Sequence, residues 1–72
     1  MIKIMLIFGF AEWEKGNKRY KCRREFNGGK RIYTLLVEDV PNHLRLDNLI
    51  RSESLSDINE WLKNLEVEIA EY

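Results

Sequence analysis

Cysteine, proline and histidine each occur once in this chain, and alanine only twice. A single thiol closes no internal disulfide. One Cys with one His also falls short of the roughly four ligands that a structural zinc site needs. A domain this small without disulfides fits a reducing compartment, and a cytoplasmic location is expected. Glycine occurs four times, but no glycine-rich turn opens a helix, so there is no phosphate loop and no cofactor is expected. No apolar run approaches the roughly 20 residues that cross a membrane, and no membrane partner is expected. Met1 to Ala11 place a Lys, an apolar run and small residues before Glu12, as a secretory leader does. They fall short of its roughly 15–30 residues and are read as a buried strand. With 72 residues there is room for one domain, 1–72, and for a small core.

What is present is globular in composition, 44% hydrophobic and 33% charged. The charge is unevenly spread. Residues 1–33 carry nine bases and three acids, and residues 34–72 carry three bases and nine acids, so a net of +6 faces a net of −6. Such a split points to a charged partner, or to two halves that neutralise each other.

The hydrophobic pattern predicts an α+β fold: a three-stranded antiparallel β-meander with a C-terminal amphipathic helix packed on one face. Residues 2–13 read as one central strand, with Ile2, Ile4, Leu6, Phe8 and Phe10 on one face and Met5, Ile7, Ala11 and Trp13 on the other; Gly9 marks a bulge or a close backbone approach. Gly16-Asn17 is a turn. Residues 18–26 form a second strand with Tyr20, Cys22 and Phe26 inward. Asn27-Gly28-Gly29 turns into a third strand, residues 30–38, which Pro41 ends. Residues 43–53 read either as a short helical turn or as a connector. From Ser54 the spacing of Leu55, Ile58, Leu62 and Leu65 is helical, with Ser54 or Ser56 as cap. Leu65 to Ile69 also alternates as a strand would. A continuous helix is preferred, because no Gly or Pro stops it at Asn64, with a short fourth strand as the alternative.

Strand alternation turns Arg19, Lys21 and Arg23 away from the helix, while Glu60, Glu66, Glu68 and Glu71 lie on the helix side. The expected molecule is basic on one face and acidic on the other. Arg19, Lys21, Arg23, Lys30 and Arg31 are the expected partner-binding residues. Trp13 and Trp61 are candidate hot spots, since Trp is enriched in binding centres. Catalysis is not expected. His43 could pair with Glu38 or Glu14, but nothing in the spacing supports it. Glu12 and Glu14 share a strand face, which alone defines neither a hydrolase nor a metal site. Cys22 reads as a small buried hydrophobe.

The expectation is a small non-enzymatic protein that occupies a surface of a larger protein as an inhibitor or regulator; a homodimer is also compatible with so thin a core. Ile, Lys and Asn number nineteen together, the bias of AT-rich coding and of accessory proteins of phages and mobile elements. The alternative is a nucleic-acid-binding module built on the basic hairpin of residues 18–31, with Lys and Arg on phosphates and aromatics such as Trp13 or Tyr33 stacking on bases.

Overall fold

The computed structural model describes residues 1–41 and 44–72, with 44–48 by backbone alone. The element order is β1 (Ile2–Leu6), β2 (Phe10–Lys15), β3 (Lys18–Asn27), β4 (Lys30–Asp39), β5 (Leu44–Ser52), α1 (Leu55–Leu62) and β6 (Val67–Glu71). Strands β2-β3-β4-β5 form a four-stranded antiparallel sheet, and β1 and β6 form a separate parallel pair. The α+β class with a C-terminal helix is as expected, but the three-stranded meander needs correction at three places.

The apolar run 2–13 is two strands rather than one. Phe8 (φ 53°) and Gly9 (φ 76°) both take left-handed conformations and reverse the chain, with Ile7 and Phe10 exchanging backbone hydrogen bonds at 3.0 and 3.1 Å. Two positive φ values in a two-residue turn match the right-handed twist of the strands it joins. Gly9 is required here. A Cβ on it would lie 3.3 Å from the Arg24 carbonyl oxygen, and the Arg24 N–H donates to the Gly9 carbonyl at 2.8 Å. Below this bridge the two strands part, and β1 joins β6 instead. Ile2, Met5, Ile7, Phe8 and Phe10, expected inside a central strand, are consequently exposed.

The second correction is at residues 44–52, which form β5 and add a fourth strand beside β4 through two register shifts. The third is at the C-terminus. The helix ends at Leu62 and tightens into a 3-10 turn over Lys63–Leu65. Glu66 then takes φ 58°, ψ 39° and releases the chain into β6. A left-handed residue is the usual helix stop, ordinarily Gly; here a Glu serves. Ile69 therefore enters the core from a strand and not from a helix.

The core lies between the sheet and a second layer made of α1 and the β1–β6 pair. Cys22 and Leu35 come from the sheet, Leu6 and Ile69 from the pair, and Ile58 and Leu62 from the helix, all fully buried. Leu55, Trp61 and Leu65 pack half-buried against them. Ser54 is the helix N-cap residue but makes no side-chain cap; its hydroxyl lies 2.7 Å from that of Ser56. Among the described residues no helix is long and apolar enough to cross a membrane.

Candidate interaction surfaces

The outer face of the sheet is built by two hairpins. The turn at Gly16-Asn17 sets Glu14 opposite Arg19 and Glu12 opposite Lys21, and β4 sets Glu38 opposite Arg19 on its other side. Arg19 contacts Glu14 at 2.8 Å, Glu12 at 3.3 Å and Glu38 at 3.9 Å, while Lys21 donates to Glu38 at 2.8 Å. The hydrogen bond and charge of Glu14 raise the Arg19 pKa above its ordinary value. Arg23 lies 3.5 Å from Glu25. The expected basic face is therefore a ladder of alternating charge across three strands. Its signal was already in the sequence: a two-residue turn at 16–17 fixes which acid meets which base.

The five expected contact residues do not form one cluster. Arg19, Lys21 and Arg23 lie on the helix-free face, as alternation requires. Lys30 shares that face at the far hairpin end, 3.7 Å from Glu53. Arg31 lies opposite Phe26 and is exposed on the other face. The acidic residues are dispersed as well. Glu60 pairs with Lys63, Glu68 with Lys3 and Glu71 with Arg24. Both Trp side chains are half-buried. Trp13 stacks on Tyr20 with ring centroids 5.6 Å apart, and its buried Nε1 has no hydrogen-bond partner.

A second surface was not foreseen. Phe26 was expected under the helix, but β3 outruns the second layer and leaves it 66% exposed. Arg24, on the same strand face, is the hub of this end of the molecule. Its Nη1 donates to Glu71 Oε2 at 2.7 Å, its backbone holds the Phe8-Gly9 turn, and its guanidinium carbon lies 5.6 Å from the Phe26 ring centroid. The Tyr33 hydroxyl donates to Glu71 Oε1 at 2.5 Å. Burial, then the bond to Glu71, raise the Tyr33 pKa, with Arg31 opposing. Beside this polar hub stand Phe8, 99% exposed, and Tyr72, 90% exposed, while Phe10 lies opposite Arg23 on the helix-free face. The only sequence signal was Gly9, which marked the turn but not the aromatic at its tip.

Of the residues weighed for catalysis, the described ones do not assemble. His43 lies outside the described residues. Glu12 and Glu14 are engaged by Arg19. Cys22 is fully buried, and burial, followed by the Glu71 charge, pushes its thiol up to about 11, where it is protonated and inert at neutral pH. Among the described residues no three His, Cys, Asp or Glu gather as a metal site. An open groove of about 660 Å³ lies at the opposite end from the aromatics, lined by Lys15, Lys18, Tyr20, Asp39 and Leu65 among others.

No family model matches the chain, and no solved structure matches it. Among curated proteins it is similar to the DNA mismatch repair protein MutS of Synechocystis sp., 45% identical over 49 residues. The match covers 54% of this chain and 6% of that protein, so the similarity concerns a small part of a much longer polypeptide.

Proposed function

We propose that this domain is a non-enzymatic binding module that docks on a larger protein, as an inhibitor or regulator, through the aromatic end organised by Arg24. The observation that carries the reading is the exposure of Phe8, Phe26 and Tyr72 together at that end of so small a chain. Exposed large apolar side chains held on a rigid frame are the usual material of binding centres, with charged residues at the rim. Arg31, opposite Phe26 on the same face, provides such a rim, with Arg23 and Lys30 on the other face of the hairpin. Arg19 and Lys21 are engaged with acids of their own sheet and contribute less. Trp13 and Trp61, half-buried, support the frame.

The test is affinity capture with the wild-type domain and with a Phe8→Ala, Phe26→Ala double variant. Both side chains are outside the core, so thermal unfolding of the variant should match the wild type. A protein partner held by the wild type and lost by the variant supports the reading. Equal capture by both, or recovery of nucleic acid alone, overturns it.

A second reading is favoured by the exposed Phe26 beside Arg31, in a hairpin that carries Arg23 and Lys30 on its other face, and by similarity to a protein named for DNA repair. The hairpin would contact phosphates and stack one base on Phe26; Tyr20 and Tyr33 are buried and cannot stack. Its affinity for single strands would then fall with salt, at a log–log slope of about −0.7 per phosphate contact. No binding at low salt eliminates it.

A further inference from the structure

We propose that β1 pairs antiparallel with β1 of a second copy of this chain, joining the two parallel pairs into one four-stranded sheet. The starting point is an unequal treatment of two strand edges. In the β1–β6 pair the Ile2 N–H donates to the Glu66 carbonyl at 2.9 Å. Alternation then commits the backbone groups of Ile2, Ile4 and Leu6 to β6 and points those of Lys3 and Met5 away from it. The far edge of β6 is closed by the Asn59 side chain, whose amide donates to the Ile69 carbonyl at 2.9 Å and accepts from the Ile69 N–H at 2.7 Å. The edge of β1 has no such cover: past the Ile7–Phe10 bridge, none of the described residues pairs with it.

This edge also lacks the protection that exposed strands carry. The neighbouring edge strand β2 is guarded by Glu12, Glu14 and Lys15, whereas β1 offers one charge, Lys3, among Ile2, Ile4, Met5 and Leu6. Ile2 is 63% exposed although it points to the core side, and Met5 and Ile7 are exposed on the outer side. Parallel strands are ordinarily covered on both faces, and a lone two-stranded sheet is marginal in water.

A second copy is the occupant that fits. A two-fold axis through Ile4 sets Lys3 opposite Met5 of the second copy, and the reverse. The outward groups of Lys3 and Met5 are then hydrogen-bonded pairs, and Ile4 meets its own image between them. The same register sets Ile2 against Leu6 of the second copy, covering the exposed Ile2, and the pairing ends there because Phe10 already occupies the edge at Ile7. No like charges stand directly opposite, because each Lys3 sits between Met5 of the second copy and its own Glu68, 4.0 Å away. The chain's net charge of zero adds no long-range repulsion.

The test is sedimentation equilibrium over a wide concentration range with the wild type, Met5→Lys and Met5→Glu. Met5 faces outward, so circular dichroism should show both variants folded. The wild type should sediment with twice the monomer mass at high concentration. Met5→Lys places a lysine opposite Lys3 and should weaken the dimer at least tenfold. Met5→Glu places a carboxylate there and should hold or tighten it. A wild type that stays monomeric, or two variants that behave alike, overturns the proposal. The aromatic end plays no part in this pairing, so the double variant at Phe8 and Phe26 should dimerise as the wild type does. A failed capture experiment would thus leave this result standing, and the reverse.

Discussion

The four-stranded sheet and the parallel pair are held together by different means. In the sheet, each strand pairs with its sequence neighbour, β2 with β3 and β3 with β4 through two-residue turns, and β3 and β4 match over ten consecutive residue pairs. Its core side is apolar and its outer side is a charge ladder. The pair β1–β6 has five residues on each side, brought together across almost the full chain. It depends on what it touches: the core through Leu6, Val67 and Ile69, the helix through Asn59, and the sheet through the contact of Glu71 with Arg24 and Tyr33. The sheet is thus a frame largely specified by local sequence, and the pair is an attachment specified by tertiary contacts. Both proposed contact surfaces, the aromatic end and the β1 edge, lie where the attachment meets solvent.

The contrast breaks most sharply in the sheet core. Leu35→Ala should cost about 2–5 kcal/mol, a large share of the stability of so small a domain. Ile4→Ala, half-buried in the pair, should cost about 1–2 kcal/mol. Urea unfolding of both variants measures the ratio; equal losses would mean that the pair is as much a part of the frame as the sheet.

An effect visible only at alkaline pH probes how dry the seam between the layers is. The Cys22 thiol is raised to about 11, above its unfolded value of about 8.5, because burial penalises the thiolate. Its contribution is complete below about pH 8.5 and is lost as pH rises through about 11, amounting to about 3 kcal/mol. Cys22→Ala should remove this component. The urea midpoint of the wild type should therefore fall more steeply at alkaline pH than that of the variant, and parallel curves would show a wet seam.

The smallest effect is local. Asn59→Ala removes two hydrogen bonds from the edge of β6 and should cost about 1–2 kcal/mol. Hydrogen exchange at the Ile69 amide should accelerate while the amides of β3 and β4 keep their protection. Uniform acceleration would mean that the pair and the sheet open as one unit.

Legibility in the sequence follows the same division. The turns at Gly16-Asn17 and Asn27-Gly28-Gly29, the inward Tyr20 and Cys22, and the stripe of Ile58 and Leu62 were readable because they follow from neighbouring residues. The ends were not. Phe8 and Glu66 take left-handed conformations that their side chains disfavour, imposed by the pairings on either side, so neither break carried the usual glycine signal in full. Phe26 has the right strand parity for the core but lies beyond the layer that would cover it. The charge ladder was legible in principle, since register follows from the turn, whereas the aromatic end needed the path of β1 to be known.

The parallel pairing of the first and last strands also sets a clock. Hairpin closure in β2-β3-β4 links residues a few positions apart and proceeds on the order of microseconds. Joining Ile2 to Val67 must close nearly the whole chain into a loop, a larger entropic cost that falls due before its contacts form. The expected order of assembly is therefore sheet first and pair last, with the reverse order on opening. During that interval Leu6, Val67 and Ile69 are uncovered, and the β1 edge meets solvent together with the apolar face behind it. In a Trp61→Phe variant, stopped-flow fluorescence should show Trp13, in the sheet, reaching its native signal before pulse-labelled exchange shows the Ile69 amide protected.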